Sequence, residues 1–363
     1  MKIERATLRE VRLRLREPFR TSRGVIQDRG ILLVTLEGGG QEGWGECVAG
    51  VDASSPETPD SAWQVLERSL LPGALGLDLA HPDDAVPGRA GDHRMAAAAL
   101  EMAAWDLAAR LEGVSLSHKL GGMQPTVPVG VSIGLQDSED ELLEVVARSV
   151  DDGYARVKVK IEPGRDVDML AKVRAHFPAV RLWADANAAY TLADLDRLRE
   201  LDALGLELLE QPLGAHDLEG HARLQDSLAT PICLDESISC EVDARRAIEL
   251  RACRVVNLKP GRVGGHAESV RIHDLLRAHG VPVWCGGMLE SGVGRAHNLA
   301  LASLPGFTLP GDISASRRYW DLDIVTPPHE VVDGHMRVPS GPGIGVEIDV
   351  DFVRALTVRA SSF

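Results

Sequence analysis

The sequence predicts a parallel β/α barrel preceded by a smaller domain of mixed α and β structure. The chain has 363 residues, too many for one ordinary core and enough for a barrel plus a smaller domain. From Thr126 onward, short β-branched strands alternate with amphipathic helices, which is typical of parallel β/α architecture. We therefore assign residues 1–125 to the smaller domain and 126–325 to the barrel. A Pro- and Gly-rich segment, 326–363, is expected to return to the smaller domain.

The composition is that of a globular protein and argues against two classes of partner. Apolar residues make up 44% of the chain and charged residues 26%. The net charge of −15, from 39 basic and 54 acidic residues, argues against nucleic-acid binding, which depends on clustered Lys and Arg. No apolar run approaches the roughly 18 residues of a membrane span, and the N-terminus lacks a signal-peptide core. We expect a cytoplasmic protein.

Cysteine and histidine show no pattern of metal ligation. The five cysteines are scattered, with no C-x-x-C pair and no zinc spacing, so we interpret them as reduced thiols. Cys285 lies close to the expected site, but the sequence implies no base as its partner, which disfavours a nucleophilic role. The twelve histidines form no ligand pattern either.

The segment 1–125 contains two predicted strands and one long predicted helix. The strands are RGILLVTLEG and EGWGECV, and a loop is expected at about Ala53 to Pro59. The alanine-rich stretch HRMAAAALEMAAWDLAARLEG has strong helix propensity and ends at Gly113. Its small residues suit close packing against other helices.

Eight strand segments, separated by helical patterns, define the predicted barrel. An open doubly wound sheet is the competing architecture, but it needs a glycine fingerprint after the first strand, and VGVSIGLQD has none. Gly292 and Gly294 form only an isolated G-x-G late in the chain. The eight segments are VPVGVSIG, ARVKVKI, RLWADA, LELLEQP, PICLDES, CRVVNLKPG, VPVWCGGM and FTLPGDIS.

Charged residues stand at the ends of consecutive predicted strands. Barrel enzymes carry their chemistry at the C-terminal ends of strands. The second strand ends in Lys158-Val159-Lys160, and alternation directs both lysines to the same face. Successive steps of 25, 25, 25 and 24 residues separate these strand ends, which is a compact spacing for one β/α unit. The five residues so spaced are Lys160, Asp185, Glu210, Asp235 and Lys259.

The three carboxylates predict a metal site. Asp185, Glu210 and Asp235 would repel one another in a barrel mouth unless a cation lay between them. Ligation by oxygen alone, without His or Cys, favours a hard divalent ion, with Mg²⁺ first and Mn²⁺ as a substitute. Such an ion could hold and activate a substrate carboxylate.

The two lysines predict proton transfer on either side of that ion. Lys160 and Lys259 come from the second and sixth strands, which lie across a barrel from each other. A substrate held between them could lose or gain a proton on the carbon beside its carboxylate, and the metal would stabilise the resulting enediolate. Lys158 would contact the substrate carboxylate. A single acid after a strand is usually a helix cap, so the argument depends on the whole set.

The sequence resembles the enolase superfamily over essentially its whole length. The matching motifs, in order, are VKVKIEPG, WADANAAYT, LLEQPL, PICLDES, VVNLKPGRVGG and WCGGMLESGVG. Within the superfamily the chain is similar to the o-succinylbenzoate synthase and N-succinylamino acid racemase group. The resemblance implies a modified TIM barrel with an α+β capping domain, whose loops near Phe19 to Gly24 and Val51 to Ser55 would close on substrate. Even-numbered homo-oligomers are common in the superfamily.

The resemblance also implies roles for particular residues. Asp185, Glu210 and Asp235 would bind Mg²⁺, and Lys160 and Lys259 would be the acid/base pair. Arg262, in KPGRVGG, matches a position linked in this group to racemase capability, although an ordinary loop arginine is the alternative. Four further residues would lie on the substrate side, namely Ser132, Asn187, Gly287 and Met288.

Departures from other branches narrow the expected chemistry. A mandelate racemase type would place His at the seventh strand end and Asp at the sixth, whereas this chain has Cys285 and Lys259. A dipeptide epimerase would carry D-x-D at the eighth strand to hold an ammonium, and this chain offers only Asp312. Muconate cycloisomerase and dipeptide epimerase, which share the two-lysine plan, remain the alternatives, although the single acid disfavours the epimerase. A barrel that binds ligand without catalysis would be expected to lose one of the charged strand ends.

Overall fold

The computed structural model describes residues 1–21, 24–50, 57–86, 91 and 93–363 of the chain. Strands β1 to β16 are, in order, Arg5–Thr21, Gly24–Gly38, Gln41–Cys47, Thr126–Pro128, Val131–Ile133, Val157–Lys160, Leu182–Asp185, Leu208–Glu210, Ile232–Leu234, Val255–Leu258, Val283–Cys285, Val325–Thr326, Val331–Val332, His335–Arg337, Glu347–Ile348 and Thr357–Ser362.

The helices of the described residues lie mostly between the strands of the barrel. Helices α1 to α14 are, in order, Pro59–Val65, Leu71–Ala74, Arg94–Glu112, Leu116–Leu120, Glu139–Asp151, Val167–His176, Leu195–Glu200, Leu218–Ser227, Glu241–Leu250, Pro260–Val263, His266–Ala278, Gly292–Ala302, Ser316–Tyr319 and Val350–Leu356. A π-helical segment spans Leu66–Leu70, and 3-10 turns span Pro82–Ala85, Leu192–Asp194 and Leu201–Leu204. None of the helices described is long and apolar enough to cross a membrane.

A four-stranded antiparallel sheet in the order β16-β1-β2-β3 forms the centre of the capping domain. Strand β1 buries alternate residues, Leu13 and Leu15 among them, and exposes Arg12, Arg14 and Arg16 between them. This period of two is the pattern of a strand with one solvated face. Strand β1 was not predicted from the sequence, although the alternation is present there.

The long helix α3 packs directly on strand β3 of the capping sheet. It ends at Gly113, whose left-handed φ of 70° provides the helix C-cap, as the sequence predicts. A Cβ atom added at Gly45 would lie 2.0 Å from the Ala99 carbonyl oxygen, and one added at Gly43 would lie 2.3 Å from that of Ala103. These glycines therefore allow the helix backbone to approach the strand closely.

Seven parallel strands, β5 to β11, form one curled sheet in sequence order, and α/β capped-barrel architecture is confirmed. The first predicted barrel segment divides in two, because Thr126–Pro128 pairs with β14 whereas Val131–Ile133 pairs with β6. The outward faces of the strands and the surrounding helices share one apolar core that extends around the barrel.

The eighth predicted strand is not a regular strand in the part of the chain that the structure describes. Instead, Phe307 bridges to Val283 at one edge of the seven-stranded sheet, and Gly311 bridges to Val129 beside the other edge. Pro310 lies between these bridges and has no N–H to donate, which limits regular pairing there. Backbone hydrogen bonds from Asp312 N to Cys285 O (2.9 Å) and from Gly130 N to Gly311 O (2.7 Å) close the barrel.

The barrel interior has an apolar floor below a polar upper half. The floor is a small buried cluster in which Trp183 and Trp284 pack with ring centroids 5.2 Å apart. The two large rings supply much of the buried apolar surface of this cluster, so both tryptophans are packing residues of the barrel. Its other buried members are Leu208, Cys233 and Val255.

The residues after the barrel pair with earlier parts of the chain. Strand β14 pairs with β4, and β16 pairs along β1 in the capping sheet, with Thr7 opposite Ser362. Strands β12 and β15 pair with each other. The domain limits at residues 125 and 325 stay predictions, since secondary structure alone does not define them.

We expect Gly45→Ala to destabilise the protein by about 2 kcal/mol or more, because the new methyl group would overlap the helix backbone. Denaturant unfolding followed by circular dichroism measures this change. Gly214→Ala is the matched control, since nothing lies within 4 Å of a Cβ atom added there. Equal stability of the two variants would contradict the close packing of α3 on β3.

Candidate active site

Three buried carboxylates meet at the C-terminal edge of the parallel sheet. Asp185 and Glu210 are the last residues of β7 and β8 and stand opposite each other in the strand register. Asp235 directly follows β9. At most 1% of each residue is exposed, so solvent does little to screen their charges.

The two lysines of β6 lie on the same face and both reach these carboxylates. The Lys158 Nζ is 3.0 Å from Asp185 Oδ2 and 2.6 Å from Glu210 Oε2. The Lys160 Nζ is 2.6 Å from Asp185 Oδ2 and 2.6 Å from the Asn187 side-chain oxygen. The alternation in Lys158-Val159-Lys160 therefore places two cations in the site, one above the other.

A second pair of cations approaches from the opposite side of the barrel. Lys259 follows β10, and its Nζ donates to Asp235 Oδ2 at 2.8 Å. Arg262, in the short helix α10, forms an ion pair with the same carboxylate. Gly286 leaves room for Lys259, because a Cβ atom there would lie 2.5 Å from the lysine Cε.

The three carboxylates differ in pKa because each has different charged neighbours. Burial would raise the pKa of Asp185, but the Lys158 and Lys160 ammonium groups lower it below its ordinary value. Burial would also raise the pKa of Asp235, but the Arg262 and Lys259 cations lower it below its ordinary value. Burial, and next the neighbouring Asp185 carboxylate, raise the pKa of Glu210 to about 8 despite the Lys158 ammonium. Of the three carboxylates, Glu210 is therefore the one whose negative charge is least stabilised by the neighbouring cations.

The chemistry of this donor set fits a divalent cation. In the described residues no group of three or more His, Cys, Asp or Glu side chains stands ready to hold a metal ion. The carboxylates nevertheless offer only oxygen donors, which Mg²⁺ prefers, and a divalent ion between them would offset the mutual repulsion that helps to raise the pKa of Glu210. Asp185, Glu210 and Asp235 could therefore hold such an ion once the lysine contacts rearrange.

Some side chains that shape the site were not predicted from the sequence. Asn257 lies on β10 two residues before Lys259, and its amide donates to Glu210 Oε1 at 2.8 Å. Gln211 accepts hydrogen bonds from the backbone N–H of Asp235 (2.9 Å) and of Ser237 (3.2 Å), and so orients the loop after β9. The N-x-K spacing could have indicated Asn257, because residues two apart in a strand share a face.

The residues predicted on the substrate side lie around the same edge, although not all contact the charged groups. Asn187 contacts Lys160, whereas Ser132 is buried on β5 and its carbonyl accepts from Arg318 at 3.3 Å. Gly287 and Met288 follow β11, and the Met288 carbonyl accepts from Arg29 of the capping domain at 3.3 Å. The capping domain therefore touches the loop that carries them.

The hairpin of β1 and β2 approaches the barrel edge beside these residues. The Arg20 carbonyl accepts from Leu135 N at 2.9 Å, and a cavity of about 430 Å³ separates the hairpin from the loops after β5 and β6. Ser22 and Arg23 of the predicted Phe19 to Gly24 loop, and the whole predicted Val51 to Ser55 loop, lie outside the described residues.

A capped barrel with carboxylates between two opposed lysines defines a class of enzymes that remove a proton from carbon beside a carboxylate. Two family models match the chain, namely the mandelate racemase / muconate lactonizing enzyme N-terminal domain over residues 3–121 and the enolase C-terminal domain-like family over 141–352. The chain belongs to the enolase superfamily, as the sequence motifs predict.

Similar proteins carry two different names. The chain is 51% identical to an o-succinylbenzoate synthase of Geobacillus kaustophilus over 99% of this chain and 97% of that protein. It is 50% identical to an N-succinylamino acid racemase of Thermus thermophilus over 99% and 98%. A crystal structure of an enolase superfamily member from Listeria innocua matches with a TM-score of 0.94 and 40% identity, over 100% and 99% of the two chains. Enolase superfamily enzymes are magnesium-dependent in general.

We expect saturating Mg²⁺ to stabilise the chain, by about 2.7 kcal/mol at a hundred times the dissociation constant, and a chelator to reverse this. Thermal unfolding with and without Mg²⁺ measures the effect. Glu210→Gln should abolish it by removing a carboxylate oxygen. Glu207→Gln is the control, since Glu207 contacts Arg181 and Trp183 instead. A Glu210→Gln variant that Mg²⁺ stabilises as strongly as the unchanged chain would contradict the proposed ligand set.

Proposed function

We propose that the chain is an Mg²⁺-dependent o-succinylbenzoate synthase, an N-succinylamino acid racemase, or an enzyme with both activities. The observation that carries this proposal is the placement of Lys160 and Lys259 on opposite sides of a buried carboxylate set. The distances from Lys160 Nζ to Asp185 (2.6 Å) and from Lys259 Nζ to Asp235 (2.8 Å) fix both lysines at the same edge of the barrel. The comparable identity to relatives with each name supports both reactions.

We assign Asp185, Glu210 and Asp235 as the Mg²⁺ ligands, with Mn²⁺ as a possible substitute. When bound, the ion supplies the positive charge that stabilises the enediolate formed from the substrate carboxylate. Asn257 fixes one oxygen of Glu210, and Gln211 fixes the backbone at Asp235, so the chain presents these carboxylates in defined positions.

In the synthase reaction Lys160 removes the proton beside the carboxylate, and its ammonium group then gives a proton to the hydroxyl group, which leaves as water from the same face. Lys259 stabilises by its charge the enediolate that exists between these two steps. In the racemase reaction one lysine removes the α-proton of an N-acylated amino acid, and the other returns a proton to the opposite face. Both reactions share the enediolate, so one set of residues serves either.

The remaining residues of the site bind and orient the substrate in this proposal. Lys158, which is 2% exposed, presents an ammonium group toward the carboxylates at the base of the site. Asn187 contacts Lys160 directly, while Ser132, Gly287 and Met288 line the surrounding edge. The ion pair of Arg262 with Asp235 places this arginine beside Lys259, which supports a role in racemisation through the position of that lysine.

An N-acylated substrate is favoured over a dipeptide with a free ammonium group. The carboxylate of Asp312 could in principle bind such an ammonium, but it is already paired with Arg156 and with Lys158, whose Nζ is 2.6 Å away. Since those two cations occupy Asp312, a substrate amine would find no counter-charge at the barrel's closing segment.

The proposal is tested with Mg²⁺ and two substrates. Proton NMR in D₂O follows α-proton exchange of an N-succinylamino acid, and ultraviolet absorbance follows formation of o-succinylbenzoate from its cyclohexadiene precursor. Exchange with dehydration supports the bifunctional enzyme, dehydration alone a dedicated synthase, and exchange alone a racemase. The absence of both reactions would contradict the proposal and would direct the search toward muconates and dipeptides.

We expect Lys160→Ala and Lys259→Ala each to lower turnover by roughly 10²- to 10⁴-fold, the usual contribution of a general acid or base. Circular dichroism should show that both variants remain folded. Lys172→Ala is the control, because Lys172 is half exposed and its side chain pairs with Glu139, away from the site. Full activity in either site variant would refute the two-lysine mechanism.

A further inference from the structure

The Lys158 ammonium group is shared among three carboxylates inside the barrel. Its Nζ lies 3.0 Å from Asp185, 2.6 Å from Glu210 and 2.6 Å from Asp312. Asp185 and Glu210 are proposed metal ligands, whereas Asp312 lies on the closing segment of the barrel and has no such role. A cation that takes the first two carboxylates therefore leaves Asp312 as the remaining partner of Lys158 in this group.

The Asp312 carboxylate is held in place by a buried arginine. Arg156 is 0% exposed and forms an ion pair with Asp312. Its guanidinium group also donates to the carbonyls of Val131 (3.0 Å) and Pro310 (3.1 Å) and lies 4.1 Å from the Trp183 ring centroid. Arg156 therefore cannot move toward the site without losing these contacts, and Asp312 has a fixed counter-charge.

Room for this arginine is built into the barrel backbone. A Cβ atom at Gly130 would lie 2.5 Å from Arg156 Nε. The backbone of Asp312 is fixed as well, because its N–H donates to the Cys285 carbonyl at 2.9 Å. Arg156, Lys158 and Lys160 follow one another at every second residue, so strand β6 and the residue before it carry three cations from the floor to the rim.

We propose that Asp312 is a positioning residue whose carboxylate, anchored by Arg156, holds the Lys158 ammonium and so leaves Asp185 and Glu210 for the divalent cation. An ammonium group and a metal ion repel each other and compete for the same carboxylate oxygens. Asp312 offers the ammonium an alternative partner with full negative charge. The inference rests on the metal ligands of the proposed function and adds a residue that acts on them through Lys158.

The test measures metal affinity without substrate. Calorimetric titration of the chelator-treated full chain with Mn²⁺ gives the dissociation constant. Asp312→Asn keeps the side-chain volume but removes the charge, so Lys158 stays with Asp185 and Glu210, and the dissociation constant should rise at least tenfold. Asp323→Asn is the matched control, because it removes a buried carboxylate paired with Arg295 at 3.2 Å and should change the constant less than twofold.

A second variant tests whether Asp312 changes the affinity for Mn²⁺ by way of Lys158. Lys158→Met removes the competing ammonium, so this variant should bind Mn²⁺ at least as tightly as the unchanged chain. In that background Asp312→Asn should alter the dissociation constant less than twofold. Weaker binding by Lys158→Met overturns the proposal even where Asp312→Asn does not fold.

Other outcomes separate this proposal from the proposed function. An unchanged constant in Asp312→Asn, an equal loss in Asp323→Asn, or a loss that persists without Lys158 each overturns the role of Asp312 and leaves the enzymatic assignment standing. Failure of the unchanged chain to bind Mn²⁺ or Mg²⁺ at all overturns both. Absence of turnover in a chain that binds metal, with the Asp312 effect intact, overturns the reaction alone.

Discussion

Charge compensation inside the barrel is the interaction on which the rest of the structure depends. Moving an ion from water into a protein interior costs several kcal/mol, so a buried carboxylate needs a cation or several hydrogen-bond donors close to it. The contacts meet this need in pairs and triads, which allows the barrel to close around four buried acids. The pairs are Asp185 with Lys158 and Lys160, Glu210 with Lys158, Asp235 with Lys259 and Arg262, and Asp312 with Arg156 and Lys158.

The capping domain uses buried carboxylates of its own to hold the loops of the barrel. Glu101 of α3 accepts from the backbone N–H of His266 (2.7 Å) and Ala267 (2.9 Å) at the start of α11. Glu46 of β3 accepts from Ser291 N (3.0 Å) and Gly294 N (2.9 Å) at the start of α12. Each acid caps the helix that follows one of the site's loops, so the cap supports the catalytic edge as well as covering it.

The sequence predicted much of this arrangement because the chemistry lies at strand ends. From Lys160 to Lys259 there is one charged residue per β/α unit, and this regular spacing was enough to predict that they lie on one edge of the sheet. Asn257 and Arg156 were missed although strand alternation places both on the face of a predicted lysine. The partner of Asp312 depends on how the barrel closes around Pro310, and local pattern does not encode such a contact. Strand β1 was missed because its alternating arginines and leucines were interpreted only as the absence of a signal peptide.

The pairing of β16 with β1 has a consequence for how the protein is made. Thr7 lies opposite Ser362, so the sheet of the capping domain joins residues about 350 positions apart in the chain. A ribosome releases the first strand long before the last one, and the whole barrel is synthesised between them. The cap therefore completes its sheet only after the barrel residues have left the ribosome, and until then β1 has one edge without its partner strand.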